Sequence, residues 1–169
     1  HHSDFSAPSS EEGLALINSR LVKANEELAK ANWLMVTFGT SYVYIHQETK
    51  KVVGNCHKQP EKTFARLRLN ASAIVEEWQD VLSELRAVNP DLKVLFTVSP
   101  IRHEKDGMHG NQLSKATLLL AIDEICRLCP ECHYFPSYEI LLDELRDYRF
   151  YADDMLHPSR KRSEEHTSE

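Results

Sequence analysis

Apolar residues recur along this chain in alternating helical and strand periods. Leu14, Ile17, Leu21, Ala24 and Leu28 stand three and four residues apart behind Ser9-Ser10-Glu11-Glu12, which predicts an amphipathic helix with a serine cap, running to about Ala31. Trp33-Leu34-Met35-Val36-Thr37-Phe38 follows as a short apolar run closed by Gly39, the pattern of a buried parallel strand. Tyr42-Val43-Tyr44-Ile45 and Lys51-Val52-Val53 flank a polar stretch, so a hairpin is expected over 42–53. A second helix starts near Asn70, with Ile74, Trp78, Val81, Leu82 and Leu85 on one face, and stops at Asn89-Pro90 because proline cannot continue it. Lys93-Val94-Leu95-Phe96-Thr97-Val98 reads as the next strand, ended by Ser99-Pro100. After a polar loop over 101–110, Leu113, Ala116, Leu120 and Ile125 mark a third helix from Asn111 to about Cys129. His133-Tyr134-Phe135 is a short strand, and a last helix is expected over 137–146.

Helices and strands in strict alternation are the signature of right-handed βαβ units, hence an α/β fold: a three-layer α/β/α sandwich with helices on both faces of a parallel sheet. The 169 residues fit one domain. Such a sheet normally begins with a strand that carries site residues, whereas this chain opens on a helix, so an N-terminal strand is expected upstream. Residues 1–161 are therefore read as a truncated domain. The run Arg162-Ser163-Glu164-Glu165-His166-Thr167-Ser168-Glu169 breaks the hydrophobic periodicity and resembles a translated sequencing adapter, so 162–169 are read as a non-native tail.

Composition narrows the function classes. A formal net charge of −6 argues against nucleic acid as a partner. No apolar run reaches the roughly eighteen residues of a membrane span and no signal-peptide pattern opens the chain, so a soluble, cytoplasmic protein is expected. Four cysteines in an α/β chain do not require disulfides.

The chemistry concentrates at strand ends. Ligands of open parallel sheets bind beyond the carboxyl ends of the strands. Gly39-Thr40-Ser41 follows the first strand, Ser99-Pro100-Ile101-Arg102-His103 the second, and Asp154-Met155-Leu156-His157-Pro158 the last. A carboxylate three residues from an imidazole can fix its tautomer and stabilise the imidazolium, as a general base requires. The same spacing would also suit a helix cap. Asn55, in Val53-Gly54-Asn55-Cys56-His57, offers an amide for an oxyanion, with an Asx-turn as the alternative. Arg102 and His103 are read as orienting a substrate or forming the site wall.

Other candidates have plainer readings. Cys126, Cys129 and Cys132 followed by His133 invite a zinc or iron–sulfur reading, but core-like Leu118, Ile122 and Ile125 surround them, so buried cysteines are expected and no metal is assigned. His103 and His109 flank Asp106-Gly107 in what reads as a solvated loop. Lys58, Lys62, Arg66 and Arg68 read as a solvated helix face, with a phosphate or carboxylate site as the minority reading. Tyr148, Phe150 and Tyr151 read as packing under the Asp-His pair, and Trp33 and Trp78 as core.

Together the motifs Thr37-Phe38-Gly39-Thr40-Ser41-Tyr42-Val43-Tyr44, Gly54-Asn55-Cys56-His57-Lys58, Thr97-Val98-Ser99-Pro100-Ile101-Arg102-His103, Asn111-x-x-Ser114-Lys115-Ala116-Thr117-Leu118 and Tyr148 through Pro158 resemble the GSCFA-domain family. That family looks like a branch of the SGNH/GDSL hydrolases. The resemblance implies a flavodoxin-like sandwich and a serine nucleophile on the first strand, within a Gly-Ser-Cys-Phe-Ala motif that this chain does not contain. It further implies His157 as general base and Asp154 as its orienting carboxylate; for the oxyanion it implies a glycine and a Gly-x-Asn element, whereas here Gly39 is followed by Thr40-Ser41 and Asn55 lies beyond the expected hairpin, either of them a donor or a structural turn residue. The function so implied is a serine ester hydrolase acting without a cofactor on a small-molecule or carbohydrate ester. This segment itself would be inactive for want of its nucleophile. The rival readings are a non-catalytic carbohydrate- or partner-binding domain on the same fold and, third, a metal or redox protein using Cys126, Cys129 and Cys132.

Overall fold

Val94, Phe96 and Val98 alternate along one strand and point the same way, and their burial decides the architecture. The computed structural model describes residues 10–54, 60–145 and 150–159. Asn55, Cys56, His57, Lys58, Arg146, Tyr148 and the tail over 162–169 lie outside them. The elements are α1 (Ser10–Leu28), β1 (Trp33–Phe38), β2 (Tyr42–His46), β3 (Val52–Val53), β4 (Phe64–Arg68), α2 (Ala71–Val88), β5 (Lys93–Val98), α3 (Gly107–Leu128), β6 (Cys132–Phe135) and α4 (Ser137–Glu139). α4 continues as a π-helical segment, Ile140–Leu145.

β1, β5 and β6 form a parallel sheet in that order. The register sets Leu34 beside Val94 and Cys132, and Val36 beside Phe96 and Tyr134. This face packs against Ile74, Val75 and Leu82 of α2 and Leu118, Ala121, Ile122 and Ile125 of α3. Phe38, Trp78 and Phe96 meet at its centre, Trp78 standing edge-on to both other rings. The opposite face carries Met35, 71% exposed, and Trp33, 49% exposed, so the tryptophan read as core lies on the open side of the sheet. Among the described residues, α2 and α3 supply the helical layer on one face.

Helix ends follow the local chemistry. Asn70 caps α2 by accepting from the Ala73 N–H at 2.8 Å. At the other end the buried Asn89 donates to the carbonyls of Leu28 and Ala31, both at 2.9 Å, tying the end of α1 to the end of α2. α3 begins at Gly107, four residues before the expected start, so His109 lies on its first turn and not in a loop. Its buried face is Ser114, Leu118, Ala121, Ile122 and Ile125, while Leu120, read as a marker of that face, is exposed.

The excursion after β1 is a separate antiparallel sheet in the order β3-β2-β4. The expected hairpin supplies β2 and β3. Its third strand corrects the reading of Lys62, Arg66 and Arg68 as a helix face: Lys62 sits in a 3-10 turn, and Arg66 and Arg68 lie on β4 paired with β2. Phe64-Ala65-Arg66-Leu67-Arg68 alternates with period two, the pleat of a strand. Arg66 lies over the rings of Tyr42 and Tyr44 and forms an ion pair with Asp106, whose side chain is fully buried.

Candidate functional site

Three polar residues on the otherwise apolar inner face of α3, Asn111, Ser114 and Lys115, hold the loops at the carboxyl ends of β1 and β5. Ser114 and Lys115 follow Asn111 by three and four residues, so the helix sets each of them beside Asn111. Ser114 Oγ accepts from the Ser41 N–H at 2.8 Å, lies 3.1 Å from Ser41 Oγ, and pairs with Thr40 Oγ1 at 3.1 Å. Lys115, 1% exposed, donates through Nζ to the carbonyls of Gly39 and Ser99, each at 2.6 Å. Asn111 Oδ1 accepts from the His103 N–H at 3.1 Å. A buried ammonium without a carboxylate partner would be costly, and here carbonyl dipoles take that place. Burial holds the Lys115 amine down at about 8, with the Asp106 charge opposing.

The loop after β5 then reaches the Asp-His segment. The Arg102 N–H donates to the Leu156 carbonyl at 3.1 Å and its guanidinium to the Met155 carbonyl at 3.2 Å, while the same guanidinium lies 4.2 Å above the Tyr151 ring. Phe150 and Tyr151 are buried against Leu141 under this segment, the packing role expected of them. The loop closes on itself: Ala152 N–H donates to the His157 carbonyl at 2.7 Å, and Tyr151 bridges Pro158. Met155 takes a positive φ of 59°, a conformation L side chains rarely adopt, in the turn that brings Asp154 back onto His157.

Within that turn Asp154 Oδ2 lies 2.6 Å from His157 Nδ1. Asp154 Oδ1 accepts from the N–H groups of Leu156 and His157 at 2.9 and 3.0 Å. Those backbone bonds, with the imidazole contact, hold the carboxyl down at about 2. No helix follows Asp154 among the described residues, so the helix-cap reading gives way to a turn: the aspartate holds that turn with one oxygen and meets the imidazole with the other. The pair is open to solvent, His157 and Asp154 side chains being 58% and 45% exposed.

His103 faces Gly39. A Cβ added at Gly39 would lie 3.6 Å from His103 Nε2, an ordinary van der Waals contact, which places the ring directly against residue 39. Burial and the Lys115 charge lower the His103 pKa, opposed by Asp106 and the Gly39 backbone, which favours neutral imidazole. A cleft of about 360 Å³ opens beside it, lined by Arg102, His103, Glu104, Gly107, Met108, Asn111, Gln112, Met155 and Leu156. Gln112 is held by Tyr138 from α4 at 2.7 Å. Gly39, Thr40, Ser41 and His157 are not among the lining residues.

Every expected site residue except Asn55 thus has a place. Arg102 and His103 line the cleft, Gly39 sits beside His103, and Asp154 and His157 pair on the adjoining loop. Thr40 and Ser41 turn inward to Ser114, with Ser41 buried. Asn55 is outside the described residues. Sequence reasoning assigned no role to Asn111, Ser114, Lys115 or the Arg66–Asp106 ion pair. The available signal was a polar triplet at helical spacing on a face that is otherwise core. Among the described residues no group of three or more histidine, cysteine or acidic side chains is placed to hold a metal ion. No helix among them is long and apolar enough to cross a membrane.

Neither a curated protein nor a solved structure matches the chain significantly. A family model does, that of the GSCFA family, over residues 1–168. The chain belongs to the GSCFA family.

Proposed function

We propose that this chain carries the base half of a serine ester hydrolase, built on a three-layer sandwich of the SGNH/GDSL type. The observation that carries the reading is the Asp154–His157 geometry: a carboxylate oxygen 2.6 Å from Nδ1, with the carboxylate itself fixed by two backbone N–H groups. With Nδ1–H donated to Asp154, the lone pair of Nε2 is left to take a proton.

In the proposed cycle a serine outside the described residues attacks the acyl carbonyl. His157 takes the serine proton at Nε2 and returns it to the leaving alcohol, and Asp154 stabilises the imidazolium between these steps. Water then repeats the sequence on the acyl-enzyme. Ser41 is an unsuitable nucleophile because it is buried and bonded to Ser114. Gly39, next to the cleft, and Asn55 are the proposed oxyanion elements. The cleft falls at the small end of the range for ligand pockets and suits a small-molecule or carbohydrate ester. Free thiols at Cys126, Cys129 and Cys132 suit a reducing cytoplasm.

The test is labelling of the full-length protein with a fluorophosphonate, which captures an activated serine. Labelling that is lost in His157→Ala, with the far-ultraviolet circular dichroism retained, supports the reading. Equal labelling of both proteins, or none of the wild type, contradicts it.

A further inference from the structure

Cys129 and Cys132 lie at the opposite end of the sheet from the cleft, where α3 passes into β6. Cys129 caps α3, and the Cys132 N–H donates to the Cys129 carbonyl at 3.0 Å, closing a four-residue turn. Pro130 suits the second position of such a turn because its ring fixes φ. The turn brings the two thiols together: Cys132 Sγ–H donates to Cys129 Sγ at 3.0 Å. Closing a disulfide from there needs an approach of about 1 Å, to a bond of roughly 2.05 Å.

The two sulfurs are not equivalent. The exposed Arg86 of α2 sets its guanidinium on Cys129 Sγ, and no such cation stands on Cys132 Sγ among the hydrogen bonds of the described residues. A surface cleft of about 190 Å³ between α2 and α3 is lined by Arg86, Gln79, Leu128 and Cys129, and by neither of the other two described cysteines. Burial and the neighbouring Cys129 push the Cys132 thiol up, so it stays protonated as the donor. Burial and Asp123 push Cys126 up as well.

We propose that Cys129 and Cys132 form an oxidisable dithiol for small hydroperoxides, in which Cys129 attacks the peroxide and Cys132 resolves the product. Cys129 thiolate attacks one peroxide oxygen, the O–O bond breaks, and Cys129 becomes a sulfenic acid as hydroxide leaves. Cys132 then attacks the Cys129 sulfur, the S–O bond breaks, and the Cys132 proton leaves with the departing oxygen as water. In sum two thiols and one hydrogen peroxide give one disulfide and two waters. The inference is independent of the ester-hydrolase reading, since it uses none of the same residues.

The experiment treats the reduced protein with hydrogen peroxide and maps tryptic peptides under non-reducing conditions. Cleavage after Arg127 places Cys129 and Cys132 on one peptide and Cys126 on another. The expected result is a 128–146 peptide lighter by two hydrogen atoms, formed before Cys126 is modified. Cys132→Ser should stop at a sulfenic acid on Cys129 that dimedone traps. Arg86→Gln should slow disulfide formation severalfold, because it removes the cation that stands on the attacking sulfur. Cys126 modified first, both thiols intact in the 128–146 peptide, or no dimedone adduct on Cys129 in folded Cys132→Ser would each overturn the proposal. An unchanged rate in Arg86→Gln would overturn the role of the cation.

Discussion

Asp154 meets His157 twice, accepting from its backbone N–H at 3.0 Å with one oxygen and facing its Nδ1 at 2.6 Å with the other. These contacts favour the ionised carboxylate, so its folded pKa is depressed. Such a group contributes stability that is present above the ordinary carboxylate range and is lost as pH falls through the folded value. Carbon-detected NMR of the Asp154 carboxyl should place its titration near pH 2, below the ordinary 3.8. A midpoint at or above 3.8 would contradict the geometry.

Lys115 joins the ends of β1 and β5 through the Gly39 and Ser99 carbonyls. Lys115→Met should lower unfolding stability at neutral pH by about 2 kcal/mol, because it leaves two part-buried carbonyl oxygens without their donor. Urea denaturation measures this.

The same lysine gives a pH signature. The unfolded chain holds its lysine proton up to the ordinary 10.5, whereas the folded protein releases it near 8. Between those values the unfolded state binds more protons, so the stability of the wild type rises with pH. That rise should be absent from Lys115→Met. Parallel stability profiles of the two proteins from pH 8 to 10.5 would remove the basis for a depressed Lys115.

Arg102 is the side-chain link between the cleft and the Asp-His loop, through Met155 and Tyr151. Arg102→Met should loosen residues 150–159 by about 1 kcal/mol, within the range of an exposed cation–π contact and a hydrogen bond. Amide hydrogen exchange should accelerate in that segment and not in α2. Unchanged exchange there would show that the backbone bond from Arg102 to Leu156 suffices.

The parallel strands and α2 were legible because their signals are local: unbroken apolar runs, an asparagine cap and a proline stop. β4 was not, because Phe64 to Arg68 alternates for only five residues and its arginines suggested solvent. Arg66 is instead held by tyrosine rings of the paired β2 and by Asp106 just before α3, contacts that depend on strand pairing and on the packing of that sheet against the start of the helix. Trp33 failed for a related reason, since a strand sequence does not reveal which face of its sheet is covered. At the site, Asp154 and His157 were readable from their spacing. Lys115 was not, since an isolated lysine on a helix is ordinarily solvated and only the meeting of two strand ends gives it acceptors.

The central claim is that His157 acts as a base oriented by Asp154. The most direct measurement is steady-state hydrolysis of p-nitrophenyl acetate by the full-length protein, its Asp154→Asn variant and its His157→Ala variant. The wild type should turn over, kcat should fall by about 10⁴ in Asp154→Asn, the scale seen when a triad carboxylate is neutralised, and His157→Ala should show neither burst nor turnover. Turnover that survives loss of His157 in a folded protein would contradict that claim.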